Sequence, residues 1–227
     1  MNSIHISLTP SVDPRHGFTL IELLTCIAII GILAAFLFPA ISKGMGNSNS
    51  TKCASNLRQI GAAVIMYAGE HNGELPGPVN SAQPATSNNG GSNLMDYLIP
   101  YLGPYIPSPA IYAAPGTWYA PMFECPSARQ VILSQQKSLS GALSYKAPWY
   151  LSPDGTKYMI PFGYPTLSAP MRLVSIERMQ KNIALTDLDQ KTPYSVGSTY
   201  VAAVPAHGSH RNTLYFDGHV EPVPVNP

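Results

Sequence analysis

The sequence predicts an α+β chain, in which a long, kinked N-terminal helix with a transmembrane first half packs against a small antiparallel β-sheet head with long Pro-rich loops. Three observations carry this prediction. Residues 18–38 contain one charged side chain, Glu22, in an otherwise uncharged and largely apolar run. Cys53, Leu57, Ile60, Val64 and Tyr67 then recur at spacings of 4, 3, 4 and 3, the period of one helix face. Near the end, the strand-forming residues Thr213-Leu214-Tyr215-Phe216 and His219-Val220-Glu221 flank the turn pair Asp217-Gly218.

The apolar run is expected to form a membrane-spanning helix over residues 18–40. At 1.5 Å per residue its length comes to roughly 30 Å, the thickness of a bilayer's hydrocarbon core. A lone carboxylate in lipid costs about 2.5–3.5 kcal/mol, so Glu22 needs a partner. A secretory signal peptide would have a shorter apolar core and a small-residue cleavage site. Here Phe38-Pro39-Ala40 puts Phe where a small residue belongs. An ordinary membrane anchor has no use for a carboxylate so early in the span. Arg15 and His16, just before the run, supply the positive charge that keeps the N-terminal side cytoplasmic.

Past the span, Pro39 removes a helical hydrogen bond and should kink the helix. Gly44, Gly46, Asn47 and Asn49 should weaken residues 44–50. Residues 41–70 read as an amphipathic continuation, with Lys52, Arg58 and Gln59 away from the apolar stripe and the stripe docking on the chain's own head. That head is residues 71–227. Its middle, 76–165, is punctuated by Pro76, Pro78, Pro84, Asn88-Asn89-Gly90-Gly91, Pro104, Pro107, Pro109 and Pro115, which forbid long elements. A short helix is expected over 93–102, with Leu94, Leu98 and Tyr101 on one side. Tyr97, Tyr101, Tyr105, Tyr112, Trp118, Tyr119, Tyr145, Trp149 and Tyr150 are expected to pack beneath the loops, a carbohydrate-binding face being the alternative. Asn182–Thr186 reads as a strand, and Asp217-Gly218 as a two-residue type I′ turn.

Composition limits the partners. Only 11% of the 227 residues are charged and the net charge is +1, with no Lys/Arg run to track phosphates, so nucleic acid is not an expected partner. The 23 prolines and 18 glycines fit long irregular loops rather than a densely regular domain.

The residues Gly17-Phe18-Thr19-Leu20-Ile21-Glu22 resemble the cleavage and methylation signal of type IV prepilins and type II secretion pseudopilins. The resemblance implies that residues 1–17 are a leader, cut after Gly17 by prepilin peptidase, a membrane aspartyl peptidase that also N-methylates Phe18. It implies that Glu22, the fifth mature residue, meets the α-amino group of a neighbouring subunit during assembly. Pro39 falls where many members have a proline. The implied partners are prepilin peptidase, other pilin or pseudopilin subunits and an inner-membrane assembly platform. The implied location is a single pass through the inner membrane with a periplasmic head, and later a filament. In that oxidising compartment Cys53 and Cys125 are expected to pair, while Cys26 in the span reads as a small apolar residue.

A second resemblance rests on Cys53-Ala54-Ser55-Asn56-Leu57-Arg58-Gln59-Ile60-Gly61. It is similar to a C-x-x-N-L-x-Q-I-G pattern in a pilin-like subfamily that also carries a terminal His-x9-Asp-Gly motif, here His207, Asp217 and Gly218. The motif reads as structural, with His207 hydrogen-bonding near the turn. Major pseudopilins carry calcium in their C-terminal loops, and Asp187, Asp189 and Asp217 are available oxygens. No compact carboxylate-rich loop is present, so no cofactor is expected, with calcium as the alternative.

The expected function is that of a structural subunit of a type II secretion pseudopilus, not an enzyme. A type IV pilus or minor pilin subunit is the alternative. The rival from another class is a membrane-anchored hydrolase using Ser209-His210 with His207 and Asp217, which no G-x-S-x-G elbow or H-E-x-x-H pair supports.

Overall fold

Thr19 and Glu22 open the long helix. The Thr19 hydroxyl accepts the Glu22 amide at 3.3 Å, and the Glu22 carboxylate accepts the Thr19 amide at 2.9 Å and the Thr19 hydroxyl at 2.7 Å. This is a capping box, which satisfies donors that a helix start leaves without partners. In the computed structural model, which describes residues 18–87, 90–103, 106–107, 117–139, 141–151, 158–192 and 200–225, helix α1 then runs from Leu20 to Glu70. It ends where Asn72 and Gly73 turn to positive φ (55° and 81°) and the Gly73 amide bonds back to the Ala68 carbonyl at 2.7 Å.

The leader, residues 1–17, lies outside the described residues. α1 continues through Pro39 and through 44–50, so the expected weak segment does not interrupt the helix. A glycine costs a helix only about 1 kcal/mol relative to alanine, too little to open a cooperative ladder extended on both sides. The chain divides after Gly44 into two compact units. In the first, Leu20–Phe38 is apolar enough and long enough to cross a membrane, and none of it is buried by the chain itself.

The second unit is built on the other part of α1. Cys53, Leu57, Ile60 and Val64 are buried, as the stripe predicts, and Lys52, Arg58 and Gln59 are exposed. The head elements follow in the order β1 (Ala82–Pro84), β2 (Thr86–Ser87), α2 (Leu94–Leu102), β3 (Ile106–Pro107), β4 (Trp118–Tyr119), α3 (Pro126–Ser134), β5 (Leu143–Lys146), β6 (Tyr150–Leu151), β7 (Tyr158–Met159), β8 (Ile183–Asp187), β9 (His210–Tyr215) and β10 (Val220–Pro224). The main sheet is antiparallel in the order β1-β5-β8-β9-β10, with two small ladders, β2-β4-β3 and β6-β7. In β9 the even-numbered residues face α1: a Cβ on Gly61 would lie 2.7 Å from Leu214, and His210 Nε2 is 3.4 Å from the Ser50 hydroxyl. On the opposite face Thr213 meets Thr186 through their hydroxyls at 3.0 Å, and Arg211 reaches Asp189.

The terminal hairpin differs from the two-residue turn predicted. The Tyr215 amide bonds to the His219 carbonyl and the Gly218 amide to the Tyr215 carbonyl, so the loop is Phe216-Asp217-Gly218. A type I′ turn needs positive φ at both central residues, and here only Gly218 has it, at 90°. Burial of Phe216, whose ring centre lies 5.4 Å from that of Phe162, draws that residue out of the strand pairing and lengthens the loop.

Of the aromatic residues, Tyr97 and Tyr101 stand edge-on to Tyr67 at 6.2 Å each, and Tyr119 and Tyr145 are buried. These serve packing. Trp118 and Trp149 are partly exposed, while Tyr105, Tyr112 and the side chain of Tyr150 lie outside the described residues.

Candidate functional site

Two groups of side chains carry the chemistry anticipated from the sequence. At the start of α1, Phe18 is exposed and Glu22 holds its carboxylate on Thr19, also exposed. Gly17 lies outside the described residues, as does the side chain of Pro39. Glu22 thus has one role already within its own chain, as a helix cap. Its apolar surroundings, from Leu20 to Phe38, are left for lipid or other chains to cover.

The second group is polar and buried, and it lies where α1 meets α3 and the sheet. Cys53 on α1 and Cys125 at the N-cap of α3 form a disulfide, closed over 72 positions of sequence, with neither residue exposed. Pro126 at the first position of α3 suits a helix start, where its missing N–H is not required. His207 completes the cluster. Its Nε2 lies 3.5 Å from Cys125 Sγ and 3.2 Å from Asp187 Oδ2, and its ring stacks on His210 with centres 5.3 Å apart. The same Asp187 oxygen accepts the Asn212 amide at 2.7 Å. A ring nitrogen of His207 and the two sulfurs all fall within 4.8 Å of one another.

Two side-chain atoms in or beside this cluster, Asp187 Oδ1 and Asn212 Nδ2, are buried without a hydrogen-bond partner among the described residues. Burial, and after it the negative charge of Asp187, push the Tyr145 phenol well above its ordinary value. Burial also lowers the pKa of His210, with the neighbouring His207 acting in the same direction.

His207 is therefore not a partner of the Asp217-Gly218 turn, contrary to the expectation. The Asp217 carboxylate accepts the His219 ring at 2.5 Å and the His219 amide at 3.2 Å, a contact local to the hairpin. Desolvation acts against it, but these bonds hold the Asp217 carboxyl below the usual aspartate range. The two halves of the terminal motif serve different structures, one the disulfide and the other the turn. The three carboxylates considered for calcium also have separate partners. Asp187 faces His207, Asp189 makes a two-pronged pair with Arg211 at 2.7 and 2.9 Å, and Asp217 faces His219. The same contacts dismantle the rival hydrolase triad, because its carboxylate and its first histidine are each held elsewhere.

Two residues in this region were missed as functional. Asn56 is buried and its amide donates to the Glu124 carbonyl at 2.9 Å, fastening α1 to the residue before Cys125. Gly61 gives Leu214 its close approach. Both stand in the C-x-x-N-L-x-Q-I-G pattern, which was the available signal. The Glu124 carboxylate in turn takes the Tyr119 hydroxyl and lies 3.7 Å from Arg129.

Comparison with known proteins agrees with the N-terminal geometry. Residues 13–38 match the family described as the prokaryotic N-terminal methylation motif. A fimbrial protein of Dichelobacter nodosus is 37% identical over 85 residues, 37% of this chain and 51% of the relative. The type IV major pilin protein PilA of Myxococcus xanthus is 41% identical over 59 residues, 26% of this chain and 27% of the relative. The type II secretion system core protein G of Pseudomonas aeruginosa is 29% identical over 113 residues, 45% of this chain and 76% of the relative. The chain thus spans about half the length of the fimbrial relatives it matches first. No solved structure matches it. With this motif at its N-terminus, these relatives and an α+β fold led by a long apolar helix, the chain is a type IV pilin- and pseudopilin-like protein.

Proposed function

We propose that this chain is a structural subunit of a type II secretion pseudopilus, processed after Gly17, methylated on Phe18 and held in the inner membrane by residues 18–40 before it enters a filament. The observation that carries the reading is the helix Leu20–Phe38, which the chain leaves wholly unburied and in which Glu22 is the only charged residue. Such a surface suits two successive environments, first lipid and then the apolar core formed by neighbouring subunits. In the second, the Glu22 carboxylate meets the positive amine of an adjacent Phe18. The pseudopilus is preferred to a pilus because the match to the core protein G covers more of both chains than the matches to fimbrial proteins do. A type IV pilus subunit is the second reading, supported by the higher identity of the shorter fimbrial matches.

Glu22 has two roles to separate, cap and assembly charge. Glu22→Gln keeps the hydrogen bonds of a capping box and removes the charge, whereas Glu22→Leu removes both. Loss of the cap alone costs a helix about 0.5–2 kcal/mol, while an unpaired amine buried in a filament core costs several. Both variants are expected to be cleaved and membrane-resident yet absent from sheared filaments, including mixed filaments with wild-type subunits. Incorporation of the Gln variant alone would make Glu22 a cap and nothing more. Normal incorporation of both would remove it from assembly altogether.

A further inference from the structure

Helix α3 begins without a side-chain cap. Its N-cap position is Cys125, whose sulfur is held in the disulfide and gives no cap bond, where Ser, Thr, Asp or Asn would accept from the second or third helical N–H. We propose that the start of α3 is a binding site for a small oxyanion, either free phosphate or the phosphate of a monoester, held by the Ser127 and Ala128 N–H groups and the Ser127 hydroxyl. The proposal is independent of the assembly reading.

Three unspent donors carry it. The backbone N–H groups of Ser127 and Ala128 have no partner among the described residues, although the two residues are only 6% and 2% exposed. Buried N–H groups are nearly always paired, with water or a ligand where the chain offers nothing. Those at a helix start also stand at the positive end of the helix dipole, which favours an anion. The Ser127 hydroxyl is a separate observation. It too has no partner among the described residues, and Ser127 lines an open cavity of about 510 Å³.

The walls of that cavity suit an oxyanion. Besides Ser127, the lining includes Gln130 of α3, Asn47 and Ser50 of α1, and His207 and His210, and among the described residues no carboxylate lines it. Asp187, which holds His207 at 3.2 Å, is not part of the lining. No Lys or Arg of the described residues lines it either, so recognition rests on hydrogen bonds rather than fixed charge and the affinity should be modest. The cavity is larger than a tetrahedral oxyanion alone requires, which leaves room for the organic group of a monoester.

The test titrates the oxidised full-length chain in detergent with inorganic phosphate at constant ionic strength, followed by the amide resonances of protein labelled with heavy nitrogen in serine and alanine. The Ser127 and Ala128 amide protons should move downfield and saturate together as one site, with a Kd on the order of 1 mM. Ser127→Ala should weaken binding at least about tenfold. Ser127→Asp, whose carboxylate takes the anion's place at the helix start, should abolish it in a chain that circular dichroism shows to be folded. Glycerol phosphate distinguishes the sources: tighter binding than phosphate assigns the site to a monoester, equal or weaker binding assigns it to the free ion, and either result supports the site. Arg58, which lines a neighbouring groove and is not in the lining of this cavity, is the control, and Arg58→Gln should leave the affinity within about threefold. Amide shifts that grow with phosphate and never saturate, unchanged affinity in Ser127→Ala, or phosphate binding by folded Ser127→Asp would overturn the proposal. So would binding that is lost in Arg58→Gln, which would place the anion in the neighbouring groove.

Discussion

Replacing both Cys53 and Cys125 with alanine tests what holds the head to the helix. The bridge spans 72 positions of sequence, and in the chain-entropy description closing such a loop is worth about 4 kcal/mol, acting mainly by restricting the unfolded chain. Both cysteines are fully buried in the main hydrophobic cluster, where alanine fits without introducing a polar group. For a unit of this size each kcal/mol shifts the melting temperature by about 2–4 °C, so the loss should be roughly 8–16 °C. Near-ultraviolet circular dichroism of the full-length chain in detergent, with chelator present, follows the head without interference from the apolar helix. Because the effect lies in the unfolded state, the denaturant dependence of unfolding should also steepen in the variant. A melting temperature lowered by less than about 3 °C would show that packing alone fixes α1 to α3, and that the loop-closure argument does not hold here.

Asn56→Ala should destabilise the head by about 1–3 kcal/mol, since it removes the buried side-chain amide that donates to the Glu124 carbonyl; a denaturation midpoint within error of wild type would deny that bond a structural role. Asp217→Asn probes the terminal turn through pH. The folded carboxyl sits below its unfolded value, so its contribution is present above about pH 4 and is lost as the pH falls through the folded value. The wild type should therefore melt higher than the variant at pH 6, with the difference shrinking below pH 4; a difference independent of pH would show that charge is not what His219 recognises.

The helix was legible because its signals are local. An apolar run with a single charged residue and a 4-3-4-3 stripe each depend on residues within a few turns, and the structure places them accordingly; the Thr19–Glu22 capping box was not read from the sequence. Gly44 and Gly46 misled, because propensity is weak against a ladder extended from both ends. The sheet was half legible. β8, β9 and β10 have strand-forming sequences, but β1 and β5 are short segments whose pairing, Gln83 with Tyr145, joins positions 62 apart and leaves no local pattern. α3 was missed for a related reason: its start is marked by Pro126, which in a proline-rich stretch looks like one more loop residue. The site was least legible. His207 and Asp217 were read as one motif because they share a spacing, whereas the β9–β10 hairpin carries Asp217 to the turn and the chain before β9 places His207 against Cys125. Distance along a sequence does not specify which face of a sheet a residue joins.

The central claim, that this is a pilin-like subunit matured at its N-terminus, is tested most directly by the intact mass of the protein purified from membranes of cells with an active prepilin peptidase. The account predicts a chain beginning at Phe18 and carrying a single methyl group on its α-amine, so that the first residue is the one whose amine meets Glu22 of a neighbour. A chain that retains Met1, or begins at a residue past Phe18, would contradict it.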